Sequence, residues 1–327
     1  MLPDEMRELR ALTLRLSEAF EAAGFSEVST PSVEYEEVLR RGEANAAGAG
    51  FRVVDDSGRI LALRSDATIP IARMVANRYA AVDGPLRFSY FENAYRSVTT
   101  GSGQPREFLQ GGVELIGVEG AEGDAEVIEL VISALEAAGL RRHRIGLGDA
   151  MLYHDLLRVS DVRERERKPL LELLWRRDLP ALEAHVERLP IGTQAKRLLV
   201  SLPSMRGGIE VLDRLEAAPV ERLRAVYELL AERGAADRVI FDLGMLRELG
   251  YYTGTIFEVY DPAVAFALGG GGRYDDLLGR FGRSRPACGA GLDLTRVHVA
   301  QLEEERQTGA QLEEERQTGA QLGEERR

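Results

Sequence analysis

Met6, Leu9, Leu12, Leu16 and Phe20 recur at intervals of three and four near the start of the chain, with charged residues between them. That spacing puts all five on one stripe of a helix, so an amphipathic helix is expected over residues 4–23 with Gly24 as its stop. From Val28 to about Val118 the texture changes. Short apolar runs (Phe51 to Val54, Ile60 to Leu63, Leu86 to Phe91, Val113 to Val118) alternate with Gly, Asp and Ser, the pattern of antiparallel strands joined by turns. Helical spacing returns over 124–139. It returns again from about Leu156 to Arg233, where Leu170, Leu171, Leu174, Leu182, Leu198 and Leu199 fall in helical windows broken at Pro180, Pro190 and Pro203. Strand texture resumes at Val239 to Leu243 and Thr255 to Tyr260, passes the glycine run Gly269 to Gly272, and closes at Ala287 to Val297. The expected class is α+β: an antiparallel sheet flanked by helices over 1–300, with a helical insertion at about 155–235.

Residues 301–310 read QLEEERQTGA, 311–320 repeat them, and 321–327 begin a third copy with Gly323 in place of the glutamate. A period of ten is too short to stack a core, and each copy offers one leucine among charges. A solvated helix or a disordered extension is therefore expected over 301–327.

Charge narrows the possible functions. With 54 acidic against 42 basic residues the formal charge is −12, a field that opposes the counterion release on which nucleic-acid affinity rests. The single cysteine, Cys288, excludes a disulfide framework, a cysteine zinc cluster and a CxxC redox pair. His143, His154, His185 and His298 are scattered without metal-ligand spacing, so neither metal nor cofactor is expected. The N-terminus lacks the continuous apolar stretch of a signal peptide, and nowhere do 18 apolar residues run together, which points to a cytoplasmic protein with no membrane span.

Four segments carry candidate chemistry. In Leu63-Arg64-Ser65-Asp66-Ala67-Thr68, a carboxylate and a hydroxyl two residues apart could jointly hold an ammonium group, or could simply cap the following helix. Tyr90 to Arg96, a Ser/Thr/Gly-rich loop at 97–103, and Arg106 to Gly117 read as strand, loop, strand. Gln110, Gly112 and Glu114 share one strand face there, pointing either into a pocket or to solvent. In Leu246 to Glu258, Tyr251 and Tyr252 beside Arg247 could enclose a flat ring and offer a cation to a carboxylate; alternatively one tyrosine packs in the core and the other lies outside. The fourth, Gly269 to Leu278, is a glycine run that would let backbone approach a ligand before a helix begins, or would be an ordinary loop.

Taken in order, LRSDAT, the YR…REFLQGGVELIG hairpin, RELGYYTGTIFE and GGGGRYDDLLGRFG followed by PACGAGLDLTR resemble the catalytic core of the histidyl-tRNA synthetase family over roughly residues 5–300. The resemblance implies a class II synthetase-like core and a histidine pocket. In it Asp66 and Thr68 would receive the amino group, and Ala67, Gln110 and Glu114 would contact the bound amino acid. Arg96 would be the motif 2 arginine, Arg247 the carboxylate-binding arginine, and Tyr251 and Tyr252 the imidazole contacts. It also implies a homodimer through the segment Ser29 to Glu34.

Departures from the synthetase pattern point to a non-catalytic branch. Val98 stands where a glutamate helps hold adenine, and Asp293 stands at a glycine beside which the family packs a triphosphate; Thr295 replaces the glutamate before Arg296. Glu248 and Gly250 stand where the family reads glycine and aspartate. About thirty residues follow Arg296, where a synthetase continues into an anticodon-binding domain of roughly a hundred. A kept amino-acid pocket beside lost nucleotide and tRNA features resembles the regulatory subunits of ATP phosphoribosyltransferase. That likeness implies no catalytic residues, no tRNA, L-histidine as ligand, and a hetero-oligomer with the short-form catalytic subunit in the first step of histidine biosynthesis, under histidine feedback. The alternative is a synthetase paralogue that activates histidine with ATP.

Overall fold

A computed structural model of the chain describes residues 1–42, 51–98, 105–215, 219–245 and 250–308. Its strands are β1 (Ser26–Glu27), β2 (Val33–Tyr35), β3 (Arg52–Val54), β4 (Ile60–Leu63), β5 (Leu86–Tyr95) and β6 (Glu107–Ile116). They continue as β7 (Arg144–Asp149), β8 (Arg206–Gly207), β9 (Val239–Asp242), β10 (Thr255–Tyr260), β11 (Gly269–Arg273) and β12 (Ala287–Asp293). Nine of them form one sheet in the order β1-β5-β6-β12-β11-β10-β7-β9-β8, and β2-β4-β3 form a small second sheet.

The large sheet is mixed. β1 beside β5 and β7 beside β9 run parallel, whereas an antiparallel sheet was expected throughout. Alternation along a strand reports which face is buried, not the direction of its neighbour, and parallel pairs need long crossovers. Here the crossover from β7 to β9 is the helical segment between Leu152–Val159 and Glu221–Glu232.

Helix α1 (Pro3–Ala22) buries Leu9, Leu12, Leu16 and Phe20, four of the five stripe residues. It stops where Gly24 turns left-handed, with the Phe25 amide returning to the Phe20 carbonyl. Helices α2 (Glu36–Gly42) and α3 (Thr68–Arg78) follow, and α4 (Gly120–Ala137) packs with α1 against the sheet. Val113, Leu115, Cys288, Ala290 and Leu292 point to that covered face. The helical segment is continuous with this core: Leu170, Leu174, Leu182 and Leu199 share one buried cluster with Leu12 and Leu16, and helix Glu221–Glu232 lies on α4.

Three expectations need correction. The glycine run is strand β11, hydrogen-bonded on both sides, and a turn with a 3-10 segment at Leu278–Arg280 follows it rather than an α-helix. The closing strand ends at Asp293, and residues 294–308 are helical. Asp293 Oδ1 accepts the Arg296 amide at 3.2 Å as a helix cap, and Leu294, Val297 and Ala300 then fall on one buried stripe. This helix takes in the first eight residues of the repeat. Glu304, placed by the sequence in a solvated or disordered stretch, is buried, because its carboxylate accepts the backbone amides of Arg141 and Arg142 at 2.9 and 2.8 Å. Residues 309–327 lie outside the described residues.

Candidate functional site

Register builds the site. Gln110 lies opposite Asp293 and Glu92, Gly112 opposite Gly291 and Tyr90, and Glu114 opposite Gly289 and Phe88. Directly opposed residues share a face, and the face recurs every second residue, so all nine lie on the side away from α1 and α4. Farther across, Gly291 meets Gly270, Gly289 meets Gly272, and Gly270 meets Glu258. The centre of this face is thus paved with glycines. Over it opens a cavity of about 380 Å³.

The glycines are needed because side chains lie flat across them. A Cβ on Gly291 would stand 2.5 Å from Gln110 Nε2 and 3.1 Å from the Tyr90 hydroxyl oxygen. Bare backbone is what lets Gln110 cross the floor.

One half of the cavity is acidic and hydroxyl-rich. Asp66 and Thr68 enter from the start of α3, with Tyr251, Tyr252 and Tyr274 beside them. Asp66 is 8% exposed; Oδ1 accepts the Ile69 amide at 3.4 Å, and Oδ2 is buried with no partner among the described residues. One oxygen therefore accepts from the first turn of the helix, as the capping reading expects, and the other has no partner among the described residues. Burial pushes its carboxyl above the ordinary aspartate range. The turn that presents it is stapled by Arg64, whose guanidinium donates to Glu92 at 2.5 Å, to the Thr30 carbonyl at 2.7 Å and to the Asn93 carbonyl at 2.8 Å.

Glu114 is not on the cavity wall. At 1% exposed it sits one layer behind, taking the Thr68 hydroxyl at 2.7 Å on one oxygen and the Tyr274 hydroxyl on the other, and both donors line the cavity. Glu114 is thereby off any solvent face, while Gln110 is half-buried and lines the cavity. Burial holds the Glu114 carboxyl well above its usual value, and the neighbouring Asp66 adds to the rise. Ala67 is also buried behind the wall, where its amide donates to Gln110 Oε1 at 3.3 Å. Tyr251 is buried, with Tyr252 and Tyr274 packed on it at ring separations of 4.9 and 5.7 Å. Tyr252 is half-buried, and both tyrosines line the cavity.

The other half is basic. Asp293 lies four residues along β12 from Gly289, about 13 Å at the rise of a strand, and Arg96 and Arg296 flank it. Arg96 stacks over Phe108 at 3.9 Å, and its Nε is buried with no partner among the described residues. Asp66 and Arg96 thus both line one cavity, and each carries a buried polar atom with no hydrogen-bond partner among the described residues. Arg247, together with loop residues 99–103, lies outside the described residues.

Tyr274, Tyr90 and Phe108 line the cavity although the sequence reading assigned them no role. Each had a usable signal. Tyr90 and Phe108 belong to the quoted hairpin, and Tyr274 directly follows Arg273 at the end of the glycine strand.

A family model described as histidyl-tRNA synthetase matches residues 1–297. The chain is 40% identical over 312 residues to a protein of Symbiobacterium thermophilum named ATP phosphoribosyltransferase regulatory subunit, covering 93% of this chain and 78% of that one. A relative of the same name in Acetivibrio thermocellus is 37% identical over 295 residues, covering 88% and 71%. Among solved structures, one from Bacillus halodurans titled an ATP phosphoribosyltransferase regulatory subunit/histidyl-tRNA synthetase superposes with a TM-score of 0.85 at 33% identity, over 92% of this chain and 80% of that one. A histidyl-tRNA synthetase from Nostoc sp. PCC 7120 gives 0.76 at 22% identity, over 93% and 74%, and shares the fold.

Proposed function

From the premise that the chain belongs to the histidyl-tRNA synthetase-like family of ATP phosphoribosyltransferase regulatory subunits, we propose that it catalyses nothing alone, assembles with a short-form catalytic subunit that needs it for activity, and transmits feedback by L-histidine. The observation that supports the ligand assignment is the two-ended cavity, lined by Asp66 at one end and Arg96 at the other, each with a buried polar atom that has no partner among the described residues. A free α-amino acid supplies the complement of both in one molecule. Its ammonium goes to Asp66, Thr68 and Gln110, its carboxylate to the arginine half, and its ring to the tyrosines, with Glu114 orienting Thr68 and Tyr274 from behind.

Feedback then requires that histidine prefer one state of the complex by a coupling of roughly 1–3 kcal/mol. The segment Ser29 to Glu34 is the surface for a homodimer in this reading. It is joined to the site, since Ser29 and Thr30 donate to Glu92, which also holds Arg64, and Glu34 pairs with Arg73 of α3. A chain of net charge −12 is a poor tRNA ligand, so no tRNA is assigned. No described helix is long and apolar enough to cross a membrane, and the proposed site of action is the cytoplasm.

The test is phosphoribosyltransferase activity of the short catalytic subunit with and without this chain, across a histidine titration. Activity should appear only with the chain present, and inhibition should disappear on Asp66→Ala. A catalytic subunit equally active at every histidine concentration without the chain defeats the proposal. A second reading, histidine activation with ATP, draws on Arg96 and Arg296 meeting in the same cavity; histidine-dependent ATP–pyrophosphate exchange decides for or against it.

A further inference from the structure

The basic half of the cavity already contains an anion. Asp293 is 6% exposed and sets one carboxylate oxygen 2.5 Å from Arg96 Nη2 and 3.4 Å from Arg296 Nε. Its other oxygen is fixed by the Arg296 amide, so the carboxylate cannot swing away without uncapping helix 294–308. Arg296 is held in turn by the Ala267 carbonyl at 2.9 Å. Burial, together with the nearby Arg96, lowers the pKa of Arg296, which places the two cations in each other's field.

Two guanidiniums converging on an open cavity make a good phosphate site, because their forked donors match oxyanions. Here the chain supplies the oxyanion itself. Within this contact one fixed negative charge stands against two positive ones, leaving about one charge uncompensated in the trio itself, and Glu258 on the same cavity adds to the repulsion of any further polyanion. That residual charge suffices for a single further carboxylate, but a diphosphate or triphosphate would be pressed against Asp293 where little water screens the repulsion.

We propose that Asp293 is the specificity-determining residue of this cavity, a tethered carboxylate that shuts polyphosphates out of the Arg96 and Arg296 pair and competes with the carboxylate of an incoming ligand. The second clause deepens the amino-acid reading above and rests on it. Exclusion of polyphosphate does not.

The experiment is calorimetric titration of the full chain with inorganic pyrophosphate, L-histidine and L-histidinol, which has an alcohol in place of the carboxylate. Wild type should show no pyrophosphate binding at millimolar concentration. Asp293→Asn, which keeps an oxygen for the helix cap, should gain pyrophosphate affinity by roughly tenfold or more, the scale of one charge-assisted contact. It should also favour L-histidine over L-histidinol more strongly than wild type does. The pyrophosphate gain should vanish in the Asp293→Asn, Arg96→Gln double variant. Asp293→Gly should give the same ranking and stands in if the asparagine protein fails to melt cooperatively. Equal pyrophosphate binding by wild type and variant, or a gain that survives loss of Arg96, overturns the proposal. Should pyrophosphate discriminate as stated while L-histidine binds to none of the proteins, the histidine reading fails and the role of Asp293 stands.

Discussion

Asp66 divides its carboxylate between structure and site, and the division has a measurable consequence. Its buried, unpartnered Oδ2 raises the pKa, so over a window above the ordinary aspartate range the empty pocket holds a proton that a free aspartate would have released. The contribution of that group to folding stability is fully present below the unfolded pKa and is lost as pH rises through the folded one. A bound ammonium reverses the preference, because it favours the charged form. L-histidine binding should therefore release a proton within this window and tighten as pH rises through it, as read by calorimetry in buffers of different ionisation enthalpy. Asp66→Asn should abolish the release and weaken binding by about 1.5–3 kcal/mol, the usual worth of a hydrogen bond to a charged group. Unchanged proton release in that variant would assign the proton to another group.

At the scale of elements, Gly271 of β11 and Gly291 of β12 lie on opposite faces of the sheet and would meet different obstacles to a side chain. Gly271 points toward the helix-covered face, where a Cβ would stand 2.0 Å from the Gly289 carbonyl oxygen and 2.9 Å from Ala290 Cα, both backbone atoms. Gly291 of β12 points to the cavity, where its Cβ would meet the amide end of Gln110, a flexible side chain. Gly271→Ala should therefore cost roughly 2–4 kcal/mol or prevent folding. Gly291→Ala should melt close to wild type and lose ligand affinity, because Gln110 must leave the floor. Denaturant melts beside histidine titrations separate the two cases, and equal melting midpoints would remove the argument from register. The pocket strands were legible in the sequence as short apolar runs. β11 was not, because four glycines carry no hydropathy alternation, and only pairing with β10 and β12 makes them a strand.

At the scale of the whole molecule, a second pH-sensitive group lies away from the cavity, where helix 294–308 meets the turn before β7. His143 is fully buried with neither ring nitrogen partnered among the described residues, and burial, aided by Arg238, lowers its pKa to about 4. A depressed histidine leaves the unfolded chain holding more protons, so stability falls as pH drops from about 6.5 toward 4. Asp261 works in the opposite direction: burial and the adjacent Glu304 raise it to about 6, and its contribution fades as pH rises from about 4 to 6. His143→Leu should remove only the first effect, sparing up to about 3 kcal/mol of acid destabilisation. Urea melts at pH 7.5 and 5 check this. A variant whose stability falls with pH as steeply as wild type would show that His143 is not the acid-sensitive group.

The sequence by itself determined the α+β class, the stripe of α1, most of the strands, and the four segments that converge on the cavity, because each depends on local spacing or on short runs of residues. Only the tertiary structure decided that Glu114 stands behind Thr68 and Tyr274, that Tyr90 and Tyr274 help wall the cavity, that Asp293 lies between two arginines, and that Glu304 of the repeat is buried. These facts depend on pairing between residues far apart in the chain. Phe88 and Tyr90 meet Glu114 and Gly112 across one hairpin, but Gly112 meets Gly291, and Glu304 meets Arg141, only once the whole sheet and its helices have closed. Local periodicity carries no record of which distant segment supplies the partner.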